Sequence, residues 1–245
     1  MRPRFFTGID IARALRDLPT KRVNYAVEQV EPTCWNFDTY RHPVAREQPG
    51  PPEPGGPWEI ACGLVRDYEF SVPQFVRAVY DRREDLLGRN MLLDGRFHGL
   101  HFHMGVRVTD VTDQTLDDGR VWGWAYETLE GHLERGKMHY EVVKKMCTGE
   151  VEFVITGYSQ RDPALGPVLK LGWRLFGRRT QLRFYRACGA RLRSLVHARL
   201  AGASEPPAAR EGDIVLAPSD VRPSAWDRLA VRHHPADRHP TTDSG

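Results

Sequence analysis

Tyr126 and His132 are the residues of this chain whose types and placement most directly invite proton transfer. The stretch "VWGWAYETLEGHLERG" puts Trp122, Trp124, Tyr126 and Thr128 at alternate positions and then brings in His132. Strand alternation would send those four side chains to one face, and Val121, Gly123, Ala125, Glu127 and Leu129 to the other. Turned inward, the first face offers stacking surface and a phenol to a flat, apolar ligand. His132 could serve as general acid or base, because an unperturbed imidazole titrates near pH ~6.5. That role requires Tyr126 or Glu134 close enough to orient the ring. The competing reading is structural, with rings packed under a helix and an imidazole satisfying the carbonyls of a hairpin.

A second group of candidates lies in "GRFHGLHFHMG". His101 and His103 are two apart on a strand and share a face, as a metal site would need. The spacing from Gly95 begins like a cupin metal motif, but no Glu follows at the expected distance and no later Gly-rich segment supplies another His. Two imidazoles without a third ligand seldom hold a metal. The expectation is therefore no metal and no cofactor, with both histidines lining a cavity or a strand surface. Tyr140 on a later strand and Tyr185 on the closing helix complete the expected ligand-binding set of His101, His103, Trp122, Trp124, Thr128, Tyr140 and Tyr185.

The segment "LKLGWRLFGRRTQLRFYR" mixes bulky apolar residues with Lys170, Arg174, Arg178, Arg179, Arg183 and Arg186. That composition suits a helix resting on anionic lipid, or equally a packed helix with a solvated basic side. The formal charge of the whole chain is only +3, too mild to argue for nucleic acid as a partner. No phosphate-cradling Gly loop, Gly-x-Ser-x-Gly elbow or Cys/His nucleophile pair is present. Cys34, Cys62, Cys147 and Cys188 are irregularly spaced, which argues against a zinc knuckle or a disulfide framework. "MRPRFFTGIDIARALRDLP" carries no export signal, and no long apolar run spans a membrane. The expected location is cytoplasmic.

These candidates need elements to position them. Residues 8–18 read as a short helix ended by Pro19. "RHPVAREQPGPPEPGGP" (41–57) reads as a Pro/Gly linker. "WEIACGLVRDYEF" reads as a strand and "VPQFVRAVYDRREDLLG" as a helix stopped by Gly88. "RFHGLHFHMGVRVTDVTD" is β-rich, "DDGR" is a turn, and "VWGWAYETLE", "KMHYEVVKKM" and "EVEFVITGYSQ" form a meander with Gly149 in the last turn. Residues 163–200 read as helical, with Leu182, Tyr185, Cys188, Leu192 and Leu195 at helical steps. The order predicts an α+β domain over 58–201: a curved antiparallel sheet gripping a long C-terminal helix, with a cavity between. Residues 1–57 are expected to form an N-terminal helical arm and linker, and 202–245 a flexible tail in which "DIVLAP" is an apolar island.

The segment from Val121 to Leu195 resembles a family of bacteria and plants known as domain of unknown function nineteen-ninety. Tyr126, Thr128, Leu129, Gly131, His132, Gly136, Ser159 and Gln181 match its pattern, and "GEVEFVITGYS" matches the strand before the Ser. Glu127, Lys137, Met138, Gln160 and Arg161 depart from it. The resemblance implies a START-like, helix-grip fold and carries no established activity. Together these readings lead to a domain that encloses a small hydrophobic molecule. A cofactor-free cyclase or dehydratase of polyketide-like metabolism fits that reading, with Tyr126 and His132 as the catalytic pair. The alternative is a non-catalytic protein that uses its basic helix on a membrane surface or a partner.

Overall fold

The computed structural model describes residues 9–97, 100–162, 178–204, 209–220 and 231–233. The elements are α1 (Ile11–Asp17), β1 (Asn36–Arg46), α2 (Pro57–Arg66), β2 (Val76–Asp81), β3 (Asn90–Phe97), β4 (Leu100–Leu116), β5 (Gly119–Thr128), β6 (Glu134–Lys145), β7 (Glu150–Arg161), α3 (Arg178–Leu200), β8 (Ala209–Glu211), β9 (Ile214–Ala217) and β10 (Val231–His233). One sheet runs β1-β7-β6-β5-β4-β3-β2-β9-β8, and β10 pairs with β4. The β4–β7 meander follows from tight turns and from alternation interrupted by a bulge between Val108 and Asp110. Gly149 takes φ +72° between β6 and β7, a conformation that favours glycine.

The sheet curves around α3, as the sequence predicts. Tyr185, Cys188, Leu192 and Val196 form the buried stripe of α3 at helical spacing. They pack with Trp124, Tyr126, Tyr140, Val142, Phe153 and Ile155 of the concave face. Gly189 lets the helix come close to β1, because a Cβ there would stand 2.6 Å from the His42 ring. α1 covers the convex face instead, where Ile11 and Leu18 bury Val79, Leu92, Leu129 and Leu216. Each fully buried aliphatic side chain contributes roughly 2 kcal/mol to holding these layers together.

Several expectations are corrected. "WEIACGLVRDYEF" is mostly helix, not strand: Pro57 opens α2 and Trp58, Ala61, Leu64 and Val65 are buried at helical spacing. "VPQFVRAVYD" supplies strand β2, not a helix. Its apparent helical pattern arises because both faces are covered, Ala78 and Tyr80 inside and Val79 under α1. The presumed linker begins inside β1, which pairs with β7 from Asn36↔Ser159 to Arg46↔Glu150 around an irregularity at Pro43. Pro43 is tolerated because β1 is an edge strand. Residues 209–217 are also no loose tail, since β8 and β9 extend the sheet from β2. The apolar "DIVLAP" island is strand β9, and Leu216 is buried.

Polar ties hold the connections. Glu47 accepts from the Trp58 N–H at 2.6 Å, which satisfies the start of α2, and from Lys144 Nζ at 2.6 Å. Both side chains of that ion pair are fully buried. Beyond β9, Ser219 donates its N–H and hydroxyl to buried Glu69, and Arg191 of α3 clasps Asp220 with two guanidinium nitrogens. Burial pushes the Glu69 carboxyl above its ordinary range, and the Ser219 donors oppose that shift.

Candidate functional site

The polar groups of the concave interior come from the turn after α2 and from β1, β5, β6, β7 and α3, and they sit among apolar rings. Alternation along β5 places Trp122, Trp124 and Tyr126 on this face, as the spacing predicts. Trp124 serves as a tie to α2. Its indole N–H donates to the Val65 carbonyl at 3.0 Å, and its ring lies 5.4 Å from Tyr140 and 6.1 Å from Tyr68. Trp122 is half-buried against the same cluster.

Tyr126 and Tyr140 share a hydrogen bond, with their oxygens 3.3 Å apart. Tyr68 packs beside this pair, its ring edge-on to Tyr140 at 6.3 Å. Tyr68 holds φ +62° just after α2, where the backbone turns left-handed to re-enter the core. An aromatic residue in that region costs about 1 kcal/mol, so the surroundings must hold it there. Burial pushes Tyr126 up to about 12. Tyr68 and Tyr140 are pushed well above the ordinary phenol value for the same reason. All three therefore carry their protons at neutral pH.

Toward the start of α3, Tyr185 donates to Asp38 at 3.4 Å and approaches the Met138 sulfur at 3.8 Å. Gln181 reaches the Ser159 hydroxyl at 3.4 Å. Cys188 lies buried in the same cluster, and desolvation pushes its thiol up. Phenols, a hydroxyl, an amide and a carboxylate thus line one end of an otherwise apolar interior. Such a set can orient one polar atom of a hydrophobic molecule.

The other expected residues sit elsewhere. Thr128 accepts from the Gly136 N–H at 2.9 Å and donates to Asn24 at 2.7 Å, which joins β5, β6 and the N-terminal segment. His132 lies in the β5–β6 connection with Nδ1 3.0 Å from both the N–H and the carbonyl of Glu134. Burial pulls its pKa down to about 4, so the ring is neutral at physiological pH. The backbone of Glu134 orients the ring, and among the described residues no hydrogen bond joins it to Tyr126. His101 and His103 point to the opposite, convex face. There His101 Nδ1 meets buried Asp94 at 2.9 Å, and His103 Nε2 stands 3.8 Å from the same carboxylate. Arg96 binds the other Asp94 oxygen at 3.2 Å. The structure thus groups Trp122, Trp124, Tyr126, Tyr140 and Tyr185 on the concave face, with His101 and His103 on the convex one and His132 in the β5–β6 connection. Among the described residues, no three His, Cys, Asp or Glu side chains converge to hold a metal.

Sequence reasoning missed Tyr68, Ser71 and Asp38. Tyr68 and Ser71 were hidden by reading the α2 region as a strand. The usable signal was Pro57 opening a helix, with the two rings of "DYEF" turning back into the core.

A curved antiparallel sheet wrapped on a C-terminal helix, with a polar-lined apolar interior, defines a helix-grip domain. The chain belongs to the family described as Domain of unknown function (DUF1990), whose model matches residues 21–191. No curated protein matches the chain. Among solved structures, hypothetical protein jhp0584 from Helicobacter pylori is 10% identical with a TM-score of 0.44, over 71% of this chain and 95% of that one. A norcoclaurine synthase point mutant from Thalictrum flavum, in complex with a transition-state analogue, is 11% identical with a TM-score of 0.41, over 70% and 99%. Major latex-like protein 151 from Panax ginseng is 9% identical with a TM-score of 0.40, over 66% and 97%. No helix among the described residues is long and apolar enough to cross a membrane.

Proposed function

We propose that the domain binds a small hydrophobic molecule between the concave face and the first half of α3. The observation that carries this reading is the bonded pair of phenols, Tyr126 and Tyr140, inside an aromatic interior. A hydrophobic molecule gains by leaving water, and one polar contact fixes which way it lies. Within this reading the domain is a cofactor-free cyclase or dehydratase of polyketide-like metabolism. Catalysis comes from holding one conformer away from water, while Tyr126 and His132 exchange protons with it. Both groups are neutral at pH 7 by the shifts above, so neither carries a charge into an apolar site.

Native mass spectrometry of freshly purified protein tests the binding. The expected result is an added mass of a small molecule that is released on denaturation and extracts into organic solvent. Protein purified without any such molecule, and unable to retain hydrophobic probes, would defeat the reading. The catalytic part falls if Tyr126→Phe and His132→Ala both leave turnover unchanged while ligand stays bound.

A second reading has one observation behind it. Arg183, Arg186 and Arg193 lie exposed along one side of α3, with Leu182 exposed beside them. We propose this stripe as a weak contact for anionic membrane, worth about 1 kcal/mol per Arg at low salt. Salt-sensitive liposome flotation that is lost in a triple Arg→Gln variant would support it. Flotation indifferent to salt and to those changes would refute it.

A further inference from the structure

Asp38 of β1, Gly157 of β7, Met138 of β6 and Tyr126 of β5 are successive cross-strand partners, so they form one row on the concave face. The row meets α3 at Tyr185, whose hydroxyl lies 3.4 Å from Asp38 and 3.8 Å from the Met138 sulfur. In the next row, Tyr140 and Ile155 are fully buried. Met138 faces the same interior and is only half-buried. Accessible space therefore reaches the concave face at Met138, beside Tyr126.

Gly157 is the one position of this row without a side chain, and Met138 lies down across it. A Cβ on Gly157 would stand 2.5 Å from the Met138 Sδ and 3.2 Å from its Cε. The preceding position on the same face of β6 is Gly136, equally bare. Methionine suits such a place because its unbranched chain has three rotatable bonds and can fold flat. It already lies as low as the backbone of β7 permits, so whatever rests beside Tyr126 rests on this thioether. A side chain branched at Cβ would stand up from the floor, and alanine would lower it. We infer that Met138 is a specificity-determining residue of the interior, setting the depth of the floor beside Tyr126 and hence the bulk of the apolar body that fits there. The inference rests on the hydrophobic-molecule reading and narrows its ligands to compact apolar bodies rather than extended polycyclic ones.

Two probes carry the same hydroxyl on bodies of different bulk, 1-naphthol and the larger 1-hydroxypyrene. Fluorescence titration of the full chain gives the affinity ratio of the larger probe to the smaller. That ratio should rise in the order Met138→Ile, wild type, Met138→Ala, by about fivefold at each step. A merely structural role would shift both probes together and leave the ratio unmoved. Met138→Ile nearly conserves volume and suits a strand, which covers the case of Met138→Ala misfolding. Substitution of Gly157 is no clean test, because its Cβ would also stand 2.5 Å from the Lys137 carbonyl. The wild type gives an independent measurement. Peroxide oxidises accessible methionine to the sulfoxide, and 1-naphthol at about four times its Kd should slow this at Met138 about fivefold. Met146, in the β6–β7 turn, should oxidise at an unchanged rate. One probe ratio shared by all three proteins overturns the inference alone, and so does unchanged oxidation of Met138 with 1-naphthol bound. Failure of both probes to bind any of the three proteins removes the hydrophobic-molecule reading, and the inference with it.

Discussion

Acidification should unfold this domain partly through one imidazole. His132 is buried in the β5–β6 connection, and its pKa falls from 6.5 to about 4 because the charged ring loses its water. The unfolded chain therefore binds a proton near pH ~6.5, whereas the folded chain resists it until pH ~4. Stability from this residue is complete above pH ~6.5 and is lost as the pH falls toward and through ~4. Integrating one proton across that gap gives a loss of about 2 kcal/mol by pH ~5 and about 3 kcal/mol by pH ~4. His139 and His42 are shifted down by burial too, and acidic groups also titrate, so the wild type alone cannot isolate the effect. His132→Asn can, because an amide oxygen can take the place of Nδ1 in accepting from the Glu134 N–H. Urea unfolding of both proteins at several pH values from ~7.5 to ~4.5 measures the difference. At about 2 kcal/mol per molar of urea, the wild-type midpoint should fall about 1 M further than the variant's by pH ~5. Parallel loss in the two proteins would show that His132 is solvated or already charged when folded, and the argument from burial would fail.

Two further perturbations probe the frame around the site. Lys144→Met strands the buried Glu47 carboxylate and should cost about 3–5 kcal/mol in urea unfolding; a loss under about 1 kcal/mol would mean that the pair is hydrated or neutral. Trp124→Phe leaves the Val65 carbonyl without its indole donor and should cost about 2 kcal/mol. Retention of a hydrophobic probe such as 1-naphthol should stay within about twofold, because the indole ties β5 to α2; a tenfold loss of probe would make Trp124 part of the ligand wall.

How much of this was legible from the chain follows from how local each feature is. The meander from β4 to β7 announces itself through alternation and turn residues, and α3 through Tyr185, Cys188 and Leu192 at helical steps. Those signals lie within a dozen residues of one another, where backbone period decides which way a side chain points. The α2–β2 region misled because Trp, Ile and Val in "WEIACGLV" imitate a strand, and because β2 is covered on both faces and loses its alternation. Strand β1 was obscured by Pro43, which an edge strand accommodates. β8 and β9 depend on pairing with β2 across more than a hundred residues of chain, which no local pattern encodes. The candidate site divides the same way. Tyr126, Tyr140 and Tyr185 could be placed on the inner face from spacing alone. His101 and His103 share a face, as read, but only the pairing of β3 with β4 shows that it is the face carrying Asp94.

The chemistry of the interior is most informative where stability alone would have chosen otherwise. Phe70 and Phe153 occupy the same ring cluster as Tyr68 and Tyr140, at centroid distances of 4.6 to 6.3 Å. A phenylalanine therefore suits these surroundings. A hydroxyl in such a place costs about 1–3 kcal/mol if unpaired and returns little net stability when paired. Tyr126 and Tyr140 satisfy one another and avoid that penalty, but a simple core would never have incurred it. Tyr68 adds the strain of its left-handed backbone to the same account. These costs fall together on one cluster of rings. A core built only for packing has no reason to collect phenols; a wall built to meet one polar atom on an apolar molecule has.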